Sequence, residues 1–241
     1  MERNGYLKMS CYAITDLHGR YDLWRLVVES ISEDSTLIFL GDAIDRGEGG
    51  IAIVNELRAR PNTIYLKGNH EDLAVKALPF LINDNDTFLP IVEWFRNGGD
   101  TTWESLKNLP KEKILEYIDF WKNLPETYVY TNKRGQKIIC DHCGFTPGGQ
   151  DYEPLWDRDH FEEKWSLDKK WKDTYVVHGH TPKQLLGYFS SGAIEVPKNY
   201  PGSFKYCDGH KIDLDCASVN SNETVLLNLD DFTERVFYNM N

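Results

Sequence analysis

The chain of 241 residues lacks any apolar run long enough to span a bilayer; stretches such as Leu37–Leu40 are far too short. Residues Met1–Ser10 lack an apolar stretch of signal-peptide length, so a location in the cytoplasm, away from membranes, is expected. Cysteine is scarce: the five (Cys11, Cys140, Cys143, Cys207, Cys216) are odd in number and irregularly spaced, which speaks against a disulfide framework and for reduced thiols. Basic residues are outnumbered, 27 Lys and Arg against 38 Asp and Glu, for a formal charge of −11. That is the wrong sign for tracking a nucleic-acid backbone, although a nucleotide stays admissible. Internal repeats, low-complexity tracts and Gly/Ser linkers are absent as well, so residues 1–241 are expected to form a single domain.

What is present is a rhythm of short apolar strands that each run into a polar cluster. Cys11–Ile14 leads to Asp16-Leu17-His18-Gly19, and Tyr21–Ile31 then repeats apolar residues at helical spacing. Leu37–Leu40 leads to Gly41-Asp42 and a helix over Ile51–Arg60, and Thr63–Leu66 leads to Gly68-Asn69-His70-Glu71. Strands of consecutive βαβ units run parallel, so their carboxyl ends bring these sequence-distant clusters to one edge. From about residue 80 to 125 the pattern turns helical, with Ile114, Leu115, Ile118 and Trp121 on one face, and predicts a helical cap over that edge. Strands follow at Thr127–Tyr130 and Lys137–Cys140 around the turn Asn132–Gly135, then at Tyr175–Val177, Thr224–Leu229 and Arg235–Tyr238. The sum is a mixed α/β sandwich.

Asp141-His142-Cys143-Gly144 and Gly179-His180-Thr181 complete the set of clusters. Carboxylates, imidazoles and one amide oxygen suit Mn²⁺, Fe or Zn²⁺ rather than soft metals. Two cations about 3.5–4 Å apart need a bridging carboxylate, and they lower the pKa of a bound water toward ~7, so that hydroxide can attack phosphorus in line. A single Asp-x-His at a strand end is commonly a cap or turn. Five such clusters in one order, nearly all flanked by glycine that permits close backbone approach, are a different matter.

The motifs Asp16-Leu17-His18-Gly19, Gly41-Asp42-Ala43-Ile44-Asp45-Arg46-Gly47, Gly68-Asn69-His70-Glu71, His142 and Gly179-His180-Thr181-Pro182 resemble those of the calcineurin-like metallophosphoesterases. Within them the chain resembles the phosphoprotein phosphatase branch that includes the bacteriophage lambda protein phosphatase. Trp94–Gly99 and Leu155-Trp156-Asp157-Arg158 share that likeness. The resemblance implies a four-layer α-β-β-α sandwich of two mixed sheets with the helical cap inserted. It implies one metal held by Asp16, His18 and Asp42 and a second held by Asp42, Asn69, His142 and His180, with Asp42 as the bridge. It implies that His70, oriented by Asp45, protonates the leaving group, and that Arg46, Arg158 and Asn69 face the phosphoryl group of a phosphoprotein or small phosphoester. Pro182 stands where many metallophosphoesterases carry a second metal-binding histidine, so His178 is expected to be structural or to support a ligand. Trp94, Trp103 and Trp121 are expected in the core of the cap, and Trp156 at the site. A dinucleoside polyphosphate hydrolase or a cyclic-nucleotide phosphodiesterase could use the same residues. A non-catalytic relative would lack a ligand or the His70–Asp45 pair, and none is missing.

Overall fold

Two apolar faces per strand require two partners for the sheet, and the first three strands have them. The computed structural model describes residues 10–83, 88–144, 155–158, 161 and 171–239. In β1 (Cys11–Ile14) and β2 (Thr36–Phe39), Ile14, Leu37 and Phe39 pack toward helices, whereas Cys11, Ala13 and Ile38 pack toward a second sheet. This is the period-two alternation of a strand buried on both sides. With β3 (Thr63–Tyr65), β1 and β2 form a parallel set, Ala13 pairing with Ile38 and Ile38 with Ile64. β9 (Glu223–Asn228) and β10 (Glu234–Tyr238) extend it antiparallel, giving the order β10-β9-β1-β2-β3.

The second sheet has the order β4-β5-β6-β8-β7, from β4 (Thr127–Thr131), β5 (Lys137–Asp141), β6 (Thr174–His178), β7 (Phe204–Tyr206) and β8 (Lys211–Asp213). β5, β6 and β8 are parallel, and β4 and β7 close the edges antiparallel. Between the sheets lies a core that joins Leu40, Leu66, Val225 and Leu227 to Ile138, Cys140, Val177 and Ile212. The expected sandwich of two mixed sheets is thus present. Its outer layer beyond the second sheet is thin among the described residues: Phe161 and Leu186, the latter in the one-turn helix α7 (Leu186–Phe189), cover Tyr206.

The thick helical layer comprises α1 (Tyr21–Glu29), α2 (Gly50–Ala59) and four helices between β3 and β4: α3 (Asn69–Leu81), α4 (Phe88–Arg96), α5 (Asp100–Leu106) and α6 (Lys111–Lys122). α3 begins at Asn69, inside a site motif, and α4, α5 and α6 lie within residues 80–125. Leu73, Ala74, Ala77, Trp94, Leu106, Tyr117 and Trp121 join Trp24, Phe39 and Tyr65 in one buried cluster, so the cap shares its core with the first sheet. At roughly 1.5–3 kcal/mol for each large apolar side chain removed from water, that shared core ties cap to sheet. The strands β7 and β8 escape periodicity: each has three residues, and β8 buries Lys211 and Asp213 where a strand pattern expects apolar side chains.

Candidate metal centre

All five polar clusters lie at carboxyl ends of parallel strands. The loop after β1 is laced to the loop after β2 by Asp16 N–H donating to Gly41 O (3.2 Å), His18 N–H to Asp42 O (3.0 Å) and Gly19 N–H to Ala43 O (2.9 Å). Asp16, His18, Asp42, Asp45, Arg46 and His180 all adopt positive φ, between 44° and 69°. Each such residue costs about 1–2 kcal/mol, and strain of this kind concentrates where function fixes the backbone. Glycine makes the crowding possible: a Cβ on Gly68 would sit 2.1 Å from Asp42 Oδ1, and one on Gly179 2.1 Å from Asp16 Oδ2.

Asp42 is the hub. Its Oδ1 accepts from His70 N–H (3.0 Å), while Oδ2 lies 3.4 Å from His142 Nε2, 3.5 Å from His18 Nε2 and 3.8 Å from His70 Nε2. His142 Nδ1 donates to Leu40 O (2.9 Å) and His18 Nδ1 to Ile44 O (3.0 Å). A carbonyl can only accept, so each ring keeps a proton on Nδ1 and turns Nε2 inward, where a neutral imidazole offers a lone pair. Asn69 Oδ1, 2.9 Å from both His142 Nε2 and His180 Nδ1, joins this set of acceptors. Two more acceptor atoms, Asp16 Oδ1 and His180 Nε2, are buried with no hydrogen-bond partner among the described residues.

Acceptors that converge out of water call for positive charge. Burial alone would depress His142, yet the charge of Asp42, its hydrogen bond with Asp42, and Asp16 lift His142 to about 10. Burial raises Asp42 in turn, but His142 and His70 hold its carboxyl well below the usual range. Two trios, His18–Asp42–His70 and Asp16–Asp42–His142, each offer ligand atoms within 4.8 Å of one another. This oxygen and nitrogen set, hinged on one shared carboxylate, fits a pair of divalent ions of borderline hardness.

The other expected site residues fall around this hub. His70 Nδ1 donates to Asp45 Oδ2 at 2.7 Å. Arg46 donates to His18 Nε2 (2.8 Å) and to His70 Nε2 (3.0 Å), so its guanidinium and a cation are alternative partners for His18. Arg158 is farther out: its Nε donates to Thr181 Oγ1 (3.2 Å), and its guanidinium lies 4.9 Å from the Phe189 ring. Trp156 meets His180 edge-on at 6.0 Å. His178 is buried; its Nε2 lies 2.8 Å from the Tyr206 hydroxyl and its Nδ1 3.1 Å from Gly179 O, and burial pushes its pKa down to about 3. Cys143 is buried with its thiol pushed up, mainly by burial, which makes it a poor target for oxidation. His210 donates to Thr174 O in the second sheet, and His160 lies outside the described residues.

Glu71 serves both the start of α3 and the support of the site. Its carboxylate accepts from the backbone N–H groups of Asp42 (2.9 Å), Ala43 (3.0 Å) and Gly68 (2.9 Å) and from the Tyr65 hydroxyl (2.7 Å). One buried side chain thereby bolts the loop after β2 to the start of α3. Glu71→Ala is expected to destabilise the fold by about 3 kcal/mol or more, since each of three buried N–H groups left bare costs ~1–3 kcal/mol. The midpoint of urea unfolding measures this, and an unchanged midpoint would contradict it. Sequence reasoning missed Asp213 and Asp215 altogether. Both are buried carboxylates pushed well above the usual range, chiefly by burial, and nothing in the strand pattern singles them out.

Comparison with known proteins agrees with this geometry. The sequence pattern described as calcineurin-like phosphoesterase matches residues 9–214. A symmetrical bis(5'-nucleosyl)-tetraphosphatase from Sodalis glossinidius (strain morsitans) is 26% identical over 145 residues, which are 58% of this chain and 44% of that protein. The serine/threonine-protein phosphatase rdgC of Drosophila melanogaster is 26% identical over 190 residues, 71% of this chain and 27% of that protein. The matches thus cover less than half the length of either relative. A solved protein serine/threonine phosphatase from Saccharomyces cerevisiae superposes with a TM-score of 0.60 at 14% identity, over 99% of this chain and 82% of that one, a likeness of fold. None of the described helices is long and apolar enough to cross a membrane.

Proposed function

The chain belongs to the calcineurin-like phosphoesterase family and is a hydrolase of phosphoester bonds, and from that premise we propose that it is a phosphomonoesterase acting on phosphoserine and phosphothreonine in proteins. The observation that carries this reading is the buried Asp45–His70 pair set 3.8 Å from the hub Asp42. A serine alkoxide is a poor leaving group and needs a proton as the bond to phosphorus breaks, worth about 10²–10⁴-fold in rate. A nucleoside diphosphate, the leaving group of a dinucleoside tetraphosphate, departs as a stable anion and needs far less help.

In this reading Asp16, His18 and Asp42 would hold one divalent ion and Asn69, His142 and His180, again with Asp42, would hold the second. Mn²⁺ is our choice among the borderline metals that these donors suit. When bound, such a pair supplies Lewis acidity and a nucleophile from water at neutral pH. The rest falls to the protein. Asp45 fixes the His70 tautomer with Nδ1–H outward, leaving Nε2 for proton delivery. Arg46 is held between His18 and His70 by hydrogen bonds to lone pairs that it gives up when the phosphoryl oxygens offer a charged, bidentate partner. Its departure also frees His70 Nε2 to carry a proton. Arg158, steadied by Thr181 and Phe189, is the second guanidinium we assign to the phosphoryl oxygens, and Asn69 is assigned to the same group. We read residues 1–241 as one domain, and the buried free thiols Cys11, Cys140 and Cys216 suit a reducing, cytoplasmic setting.

The test is the initial rate after chelation and Mn²⁺ reconstitution on a phosphoserine peptide, p-nitrophenyl phosphate, diadenosine tetraphosphate and a cyclic nucleotide. Metal-dependent turnover with the phosphopeptide preferred is the expected result. A strong preference for the dinucleotide would replace the protein-phosphatase reading while retaining the site.

A further inference from the structure

Asp45 is held by more than His70. Its Oδ2 accepts from His70 Nδ1 (2.7 Å) and also from Trp94 Nε1 (2.9 Å), while its Oδ1 accepts from the Thr102 hydroxyl (2.6 Å), whose oxygen accepts in turn from Asp45 N–H (2.9 Å). Trp94 stands on α4 and Thr102 on α5, so both belong to the cap. Asp45, Trp94 and Thr102 are all buried. Between the two helices, Gly98 O accepts from Arg46 N–H (2.9 Å). A Cβ on Gly98 would lie 2.8 Å from Arg46 Cγ, and one on Gly99 would lie 2.4 Å from the Trp94 indole. The Trp94-to-Thr102 stretch is therefore shaped to press against the loop that carries Asp45 and Arg46.

We propose that Trp94 and Thr102 are positioning residues for proton delivery, by which the cap sets the aim of the Asp45–His70 pair. The inference rests on the reading of His70 as the general acid. A carboxylate with a donor on only one oxygen can swing about its Cβ–Cγ bond. Donors on both oxygens, one of them clipped also to the Asp45 backbone, hold Oδ2 on Nδ1 and so hold Nε2 in one direction. Misplacement of a catalytic group by about 1 Å costs on the order of 10²-fold, which gives this alignment its leverage. It also gives the cap a chemical role: a movement of α4 and α5 reaches the acid through two hydrogen bonds.

The test compares Thr102→Val, Thr102→Ser and Trp94→Phe with wild type on a phosphoserine peptide and on p-nitrophenyl phosphate, in Mn²⁺-loaded full-length enzyme with metal content assayed. Trp121→Phe is the control, because Trp121 is equally buried in the cap but its Nε1 has no hydrogen-bond partner among the described residues. Thr102→Val is expected to lose about tenfold or more in kcat on the phosphopeptide and under about threefold on p-nitrophenyl phosphate, a fraction of what a general acid supplies. KM and metal content should hold, Thr102→Ser should recover most of the loss, and Trp94→Phe should show the same split more weakly. Trp121→Phe should show none. Equal losses on both substrates, or a split in Trp121→Phe as large as in Trp94→Phe, would overturn the proposal. If Thr102→Val does not fold, Trp94→Phe against Trp121→Phe decides it. His70→Asn run alongside separates the two levels. No leaving-group split there sinks the general-acid reading itself, whereas a split there without one in the cap variants sinks only the positioning role.

Discussion

Asp42→Asn is expected to empty the site of metal and to abolish turnover on every substrate, with kcat/KM down by more than about 10³-fold. The carboxylate Oδ2 stands within 3.8 Å of ring nitrogens from His18, His70 and His142, so one atom serves all three. Asparagine is nearly isosteric and can keep Oδ1 on the His70 N–H. It then turns an NH₂ group toward those nitrogens, removing the negative charge and the bridging lone pairs at once. Loss of several kcal/mol of charge stabilisation, at about 1.4 kcal/mol per tenfold, gives the stated magnitude. Metal content after dialysis and the rise in melting temperature on adding Mn²⁺ check it without reference to activity: wild type should gain stability with ligand and the variant should not. A variant that keeps two equivalents of metal would refute the bridging role of Asp42.

How far the sequence could be read follows from the range of the signals. The two βαβ units were legible because alternation in β1, β2 and β3 and helical spacing in α1 and α2 are local, and the handedness of crossovers then assembles the clusters at one edge. The ligand candidates were legible because each sits in a short motif that contains glycine. What escaped depends on pairs far apart in the chain. The Trp94 indole reads as core, which it is, but its N–H on Asp45 spans 49 residues and leaves no periodic trace. Glu71 looks like an ordinary acidic residue in the first turn of a helix until the loop after β2 folds over it. The left-handed backbone of Asp16, His18, Arg46 and His180 is hidden for a related reason: such angles are uncommon outside glycine even for the enriched Asp and His, and the assembled site imposes them. The buried Lys183 is a last case. It looks exposed in sequence, yet its Nζ donates to Gly202 O (2.6 Å) and pairs with Glu223 (2.7 Å), which joins the loop after β6 to β9.

His70→Asn should leave metal content intact and divide substrates by leaving group. Asparagine keeps a polar head near Asp45 but has no atom at the position of Nε2, so the proton donor vanishes while Asp42 and the other metal-binding candidates stay in place. On a phosphoserine peptide kcat should fall by about 10²–10⁴-fold, the usual worth of a positioned acid. On p-nitrophenyl phosphate, whose phenolate departs almost unaided, the loss should be about tenfold or less. A series of aryl and alkyl phosphates makes this quantitative: log kcat should fall more steeply with leaving-group pKa in the variant than in wild type. Parallel slopes would refute the assignment of His70 as the acid. Diadenosine tetraphosphate belongs in the same series, because its leaving nucleotide is a stable anion and its turnover should resemble that of p-nitrophenyl phosphate. A buried imidazole–carboxylate pair, with both carboxylate oxygens held and a strained loop beneath it, brings little advantage to an enzyme whose leaving groups need no proton. It brings a large one where an alkoxide must depart, and that difference links the geometry around Asp45 to the phosphoserine and phosphothreonine substrates proposed for the chain.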